Sequence, residues 1–130
     1  MIDGRRLLRF HCGMQVLAHR AVGCFVSHCG WNSTMEGLRN GVPFLCWPYF
    51  CDQYLNRSYI TGVWRTGLAA SRNAEGVVTK EELRSKVEQV VGDGEIRERA
   101  RLFRDAARRC VGEGGSSHEN FKKLVDLLRE

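Results

Sequence analysis

Between Val22 and Gln53 the chain reads VGCFVSHCGWNSTMEGLRNGVPFLCWPYFCDQ, and its polar side chains are gathered at two places. The first is the corner His28-Cys29-Gly30-Trp31-Asn32-Ser33, where His28, Asn32 and Ser33 can all donate hydrogen bonds. Gly30 lets the backbone come close to a bulky group. A helix opening near Asn32 and Ser33 aims unpaired N–H groups and the positive end of its dipole at the same point. An anion held there gains about 0.3–1 kcal/mol, and up to about 2 when partly buried. These parts make a phosphate cradle. The same Asn-Ser pair also caps many helices that bind nothing, and on the corner alone that plainer reading is the commoner one. The second place is the acidic loop at Asp52-Gln53.

The elements around these residues can bring the two places together. Gly23-Cys24-Phe25-Val26-Ser27 has the length and bulk of a buried strand. Thr34 to Asn40 reads as a helix closed by Gly41, and Pro43 to Trp47 as a second strand. A strand, corner, helix, strand and loop in that order form a parallel crossover unit. It sets the corner and the acidic loop at the carboxyl ends of neighbouring strands, where open α/β sheets hold their ligands.

A longer pattern runs through Val16-Leu17, His19, Ala21-Val22-Gly23, Phe25-Val26, His28 to Ser33, Glu36, Gly41-Val42-Pro43, Pro48 and Asp52-Gln53. From Phe10 to Gln53 it resembles the donor-binding signature of the plant secondary-product UDP-glycosyltransferases. The start departs from that family: Phe10-His11-Cys12-Gly13 stands where Trp-Ala-Pro-Gln is usual. Phe10 would stack on uracil with less surface, and Gly13 has no side chain to replace the Gln. The resemblance places His28 at the β-phosphate and Asn32 with Ser33 at the α-phosphate. It places Glu36 at the ribose hydroxyls, and Trp31, Asp52 and Gln53 at the sugar. A carboxylate beside an amide suits a pair of vicinal hydroxyls. Gln at the last position of the signature goes with glucose in the family, so the implied donor is UDP-glucose.

Composition sets the outer limits. The 130 residues allow one domain at most, and 43% hydrophobic with 27% charged residues is the balance of a soluble globular chain. No apolar run approaches the roughly 18–20 residues needed to cross a bilayer. MIDGRRLLRF lacks the apolar core and cleavage site of a secretory signal. The six cysteines contain no C-x-x-C pair, and His11-Cys12 and His28-Cys29 lie too far apart for a common zinc spacing, so buried free thiols and no metal are expected. A net charge of +5 raises nucleic acid as a partner, but basic and acidic residues nearly balance from Lys80 onward, which describes solvated helix faces rather than a phosphate-tracking stripe.

The rest of the chain reads as flanking structure. Arg6 to Phe10 suggests the tail of a strand, and Met14 to Ala21 a short helix on which His19 has a packing or hydrogen-bonding role. Tyr54 to Trp64 reads as a helix with Leu55, Tyr59, Ile60 and Val63 on one side. A short strand follows at Gly67 to Ala70 and a polar loop at Ser71 to Gly76. Thr79 and Glu82 form a capping box for a helix with the stripe Leu83, Val87, Val90 and Val91. Gly92-Asp93-Gly94 breaks it. A charged helix carries Ile96, Ala100, Phe103, Ala107 and Cys110. After Gly112-Glu113-Gly114-Gly115, Ser116 and Glu119 cap a last helix packing Phe121, Leu124, Val125 and Leu128.

The expected fold class is thus α/β: an incomplete Rossmann-like parallel sheet with flanking helices. Through the resemblance it is the C-terminal half-domain of a two-domain GT-B glycosyltransferase. The chain 1–130 would be part of the UDP-sugar-binding domain, with the signature at 10–53, helices at about 79–130 and the N-terminal acceptor domain absent. The implied activity is inverting transfer of glucose from UDP-glucose to a hydroxyl of a small-molecule acceptor, with no cofactor beyond the UDP-sugar. No catalytic residue is assigned within the chain, because the family's general base belongs to the absent domain. A non-catalytic UDP-sugar-binding or interaction module is the alternative. Further expectations are a cytoplasmic location, no nucleic-acid partner, no transmembrane segment, and self-association through an open sheet edge.

Overall fold

The computed structural model describes residues 15–129. The strand expected at Arg6 to Phe10, and the signature positions Phe10 to Gly13, lie outside the described residues. In chain order the elements are β1 (Phe25–Ser27), α1 (Trp31–Asn40), β2 (Phe44–Cys46) and α2 (Gln53–Ser58), which continues as a π-helical turn at Tyr59–Val63. Then come β3 (Gly67–Ala69), α3 (Lys80–Gly92), α4 (Gly94–Val111) and α5 (Ser116–Leu127). The strands form one parallel sheet in the order β1-β2-β3, with Phe25 opposite Phe44 and Phe44 opposite Gly67. The middle strand is Phe-Leu-Cys with no exposed residue, as a strand covered on both faces requires.

Helix α1 sits against the sheet because its inward face has no side chain at Gly37. A Cβ there would lie 2.2 Å from Cζ of Phe44. On the neighbouring strand, a Cβ at Gly67 would lie 2.3 Å from the Phe44 carbonyl oxygen. Phe44 is fully buried between these glycines and joins Cys29, Leu38, Cys46 and Ile60 in the core. Trp64 closes one side, with its ring centroid 5.7 Å from that of Phe103 on α4. The helix ends where expected. Gly41 takes the left-handed conformation at φ 67°, and the N–H groups of Gly41 and Val42 return to the carbonyls of Leu38 and Gly37.

Several expectations need correction. Helix α1 starts at Trp31 rather than Thr34, because extended Gly30 is its N-cap and the Thr34 N–H already donates to the Gly30 carbonyl at 2.9 Å. On α2 the buried positions are Gln53 and Asn56, with Ile60 following in the π-helical turn, while Leu55 and Val63 face solvent. Carboxamides take the inward face because they satisfy loop backbone that hydrocarbon would leave unpaired. The box at α3 closes only halfway: Thr79 Oγ1 accepts from the Glu82 N–H at 3.2 Å, but Glu82 accepts from the Ser71 N–H instead of returning. Asp93 caps α4 through the N–H groups of Glu95 and Ile96. Ser116 makes no capping bond; Gly115 is the N-cap of α5, and Phe121, Leu124 and Leu128 are exposed rather than packed.

Gly37→Ala is expected to lower stability by about 1–3 kcal/mol, since the added methyl must displace a buried aromatic ring. Gly62, whose added Cβ would meet nothing within 4 Å, supplies the control. Gly62→Ala should leave the denaturant midpoint unchanged or raise it slightly.

Candidate functional site

Because the three strands are parallel, their carboxyl ends open onto one edge, and three loops meet there. They are His28 to Gly30 after β1, Trp47 to Asp52 after β2, and the segment from Ala70 after β3. The ladder carries on into these loops: the Trp47 N–H donates to the Ser27 carbonyl at 2.8 Å, and the Ala70 N–H to the Cys46 carbonyl at 2.9 Å. Arg72 links the second and third loops, donating to the carbonyls of Pro48 and Gly76.

The corner turns on Cys29. It is fully buried and left-handed at φ 67°, a conformation that costs a residue with a Cβ on the order of 1–3 kcal/mol. Three bonds hold it there. Its N–H donates to Ser27 Oγ at 3.0 Å, its thiol donates to the Ser27 carbonyl at 3.5 Å, and its carbonyl accepts from Asn56 Nδ2 at 2.8 Å. Interaction with the Cys46 thiol draws the Cys29 thiol below its ordinary pKa, while the same interaction and burial push Cys46 up. Burial pushes Cys24 up to about 11. The expected buried free thiols are found at Cys29 and Cys46, whereas Cys51 and Cys110 are free but exposed.

Past this turn, α1 begins with no side-chain cap. The N–H groups of Trp31, Asn32 and Ser33 precede the first helical bond, and no partner for them is present among the described residues. Asn32 and Ser33 are therefore in the first turn, with Asn32 exposed and Ser33 half-buried; they do not cap the helix. His28 is exposed and folds over the N-cap, so that a Cβ at Gly30 would lie 2.4 Å from His28 Nε2. Side-chain donor and helix N-terminus thus face the same space. Trp31 is 55% exposed beside them, and Glu36 lies half-buried on the next turn of the helix.

Across from the corner, Asp52 and Gln53 have diverged in role. Asp52 is exposed and accepts from Asn56 Nδ2 at 3.0 Å. Gln53 is only 4% exposed, and its Oε1 accepts from the N–H groups of Tyr49 and Phe50 at 3.0 and 3.2 Å. Its carbonyl is thus committed to the loop, which leaves the amide nitrogen as its donor. Asn56 touches both halves of the edge at once, through the Cys29 carbonyl and the Asp52 carboxylate. The sequence reading missed it; the available signal was a carboxamide one turn after Gln53, on the same helical face. A cleft of about 290 Å³ runs between the halves, lined by Val26, Ser27, His28, Trp47 and Tyr49. A larger cavity of about 660 Å³ between α1 and α4 lies away from this edge and borders Gln15, the first described residue.

An open parallel sheet that carries an uncapped helix N-terminus, a carboxylate and a carboxamide at its carboxyl edge has the arrangement in which α/β domains commonly hold anionic ligands. The chain belongs to the family described as UDP-glucoronosyl and UDP-glucosyl transferase, whose model matches residues 4–106. It is 44% identical to UDP-glycosyltransferase 83A1 of Arabidopsis thaliana over 98% of this chain and 28% of that protein. It is 42% identical to phloretin 4'-O-glucosyltransferase of Malus domestica, over 89% of this chain and 25% of that one. Among solved structures, Os79 from O. sativa in complex with UDP superposes with a TM-score of 0.83 at 36% identity, covering 86% of this chain and 26% of its own. Phytolacca americana UGT2, complexed with UDP-2fluoro-glucose and pterostilbene, gives 0.85 at 31% identity over 90% and 27%. The chain therefore spans about a quarter of the length of these relatives. Among the described residues no helix is long and apolar enough to cross a membrane.

Asn56→Ala should cost about 1–3 kcal/mol, because it leaves the buried Cys29 carbonyl without a partner. Asp52→Ala, which removes only an exposed acceptor, should cost less than 1 kcal/mol. Urea unfolding of the two variants side by side checks the difference.

Proposed function

We propose that this chain is the donor-binding portion of a UDP-glycosyltransferase and that its carboxyl edge holds a UDP-sugar, with UDP-glucose as the donor. The observation that carries the reading is the uncapped start of α1, whose free N–H groups share one space with His28. A diphosphate fits there: His28 meets the β-phosphate, and the side chains of Asn32 and Ser33 together with the helix N–H groups meet the α-phosphate. Glu36, one turn further on, accepts from the ribose hydroxyls. Trp31, Asp52 and the free amide nitrogen of Gln53 receive the sugar, with Gln53 acting as a donor. Phe10, which lies outside the described residues, is the candidate to stack on the uracil.

In the whole enzyme the reaction is displacement at the anomeric carbon with inversion. A base removes the proton of an acceptor hydroxyl, whose oxygen bonds to the anomeric carbon as the bond to the β-phosphate oxygen breaks. Negative charge then gathers on the departing UDP. The α1 N-terminus and His28 already point at that position, so no rearrangement is required as the charge develops. The acceptor wall and the base come, in this reading, from a preceding domain, in keeping with relatives about four times as long.

Calorimetric titration of the purified chain with UDP tests the cradle. His28→Ala should weaken binding about tenfold, matching the loss of one charge-assisted bond of roughly 1.5 kcal/mol. Unchanged affinity would remove His28 from the site. In the same assay UDP-glucose should bind more tightly than UDP-galactose, and the reverse order would cancel the glucose assignment.

The chain by itself is expected to bind donor without transferring sugar. Holding two reactants in register is worth up to roughly 7–11 kcal/mol, and a positioned base about 10²–10⁴-fold in rate. Incubation with UDP-glucose and a panel of phenols and alcohols should give no glucoside by mass spectrometry. Acceptor-dependent turnover that Asp52→Ala abolishes would show that the base lies in this chain.

A further inference from the structure

The opposite edge of the sheet carries a second polar cavity that the donor chemistry does not use. It measures about 360 Å³ and lies at the amino ends of β1 and β2, bounded by Val22, Gly23 and Gly41. Four arginines line it, Arg20 from the segment before β1 and Arg97, Arg101 and Arg104 from α4, and no carboxylate does. The α4 residues recur at intervals of four and three, which sets them on one helical face looking across at Arg20. Its size lies within the roughly 300–1,000 Å³ of small-ligand sites.

A structural explanation accounts for part of this charge. The carboxyl end of α1 closes at Gly41, and an added Cβ there would lie 3.0 Å from Cβ of Arg104, so a nearby cation complements the helix dipole. Arg101 has Glu98 at 3.7 Å, Arg104 has Asp105 at 2.8 Å, and Arg97 donates to the Val91 carbonyl. Two carboxylates offset two of the four charges, and the carboxyl ends of α1 and of α3, the latter at Val91, together supply about one unit of negative charge. An excess of about one positive charge therefore remains around one small cavity. Among the described residues neither Arg20 nor Arg97 has a carboxylate partner. Guanidinium groups brought together in this way repel one another unless an anion lies between them, and their planar forks match phosphate oxygens two at a time.

We propose that this arginine-lined pocket binds a small anion bearing two or more phosphate groups, at the sheet edge opposite the donor corner. The site is independent of the donor reading, since none of its lining residues belongs to the corner or to the acidic loop. The arginines are mostly exposed, so binding is screened by salt and is measured at low ionic strength.

Inorganic triphosphate is the probe, titrated into the isotope-labelled full chain and followed through its backbone amide resonances. Saturable shifts are expected at Val22, Gly23 and Gly41, and they should persist in His28→Ala, which weakens only the donor corner. Arg20→Gln combined with Arg97→Gln should weaken that binding at least tenfold. Arg20→Lys with Arg97→Lys, which keeps the charge and loses the forks, should lose only part of it and shows whether the positions tolerate change. Shifts confined to Trp31, Asn32 and Ser33 would overturn the proposal. So would non-saturating shifts spread over every basic surface, or an affinity that the Gln variant leaves unchanged.

Discussion

The left-handed backbone at Cys29 is the constraint on which the site depends. A strand that ran on in extended geometry would carry His28 and Gly30 past the sheet edge, and α1 could not fold back over β2. The reversal is unfavourable for any residue with a Cβ, so it persists only because the neighbours over-determine it. Ser27 holds Cys29 from the strand side and Asn56 from the loop side, each through a bond of ordinary length. At about 0.5–1.5 kcal/mol net apiece, such bonds are of the same order as the strain they oppose. The corner is therefore set by its second partner. Asn56 fixes where α1 begins and, through Asp52, where the second half of the edge stands.

Packing below the corner settles the direction in which α1 points. Gly37 and Gly67 leave Phe44 room on either side, so the helix lies close to the middle strand with its first turn over the carboxyl edge. Its two ends then meet opposite chemistry. The amino end faces His28 and open space, while the carboxyl end meets Arg104 and the other arginines. One helix laid across one buried ring thus creates both an uncapped amino end and a concentrated cationic surface.

The sheet, its parallel order and the positions of its helices were legible in the sequence because they follow from apolar runs and glycine stops. Phe25–Ser27, Phe44–Cys46 and Gly67–Ala69 all fall inside the strands expected from the residues alone. The crossing of the corner toward Asp52 was legible for the same reason. Periodicity failed where polar residues turn inward. Leu55 and Val63 suggested the buried face of α2, yet Gln53 and Asn56 occupy it, because two loops need their backbone groups paired. The early start of α1 was hidden as well: an extended Gly30 has no side chain to announce a cap. On α4 the arginine spacing was visible, but near-balanced charge along the chain concealed that the carboxylates lie off the cavity.

Exposed apolar surface is not spread evenly over the described residues. Trp31, Trp47, Tyr49, Phe50 and Tyr54 all stand exposed around the carboxyl edge, with the rings of Tyr49 and Phe50 5.1 Å apart. A second group, Phe121, Leu124 and Leu127, lies along α5. Single exposed hydrophobes are common on any protein, but aromatic residues clustered around a polar cleft are the mark of a binding surface. A sugar ring with hydroxyls on its rim and C–H groups on its faces needs that combination. Under the proposed reading, Asp52 and the Gln53 amide would meet the rim of the sugar and the aromatic belt its faces.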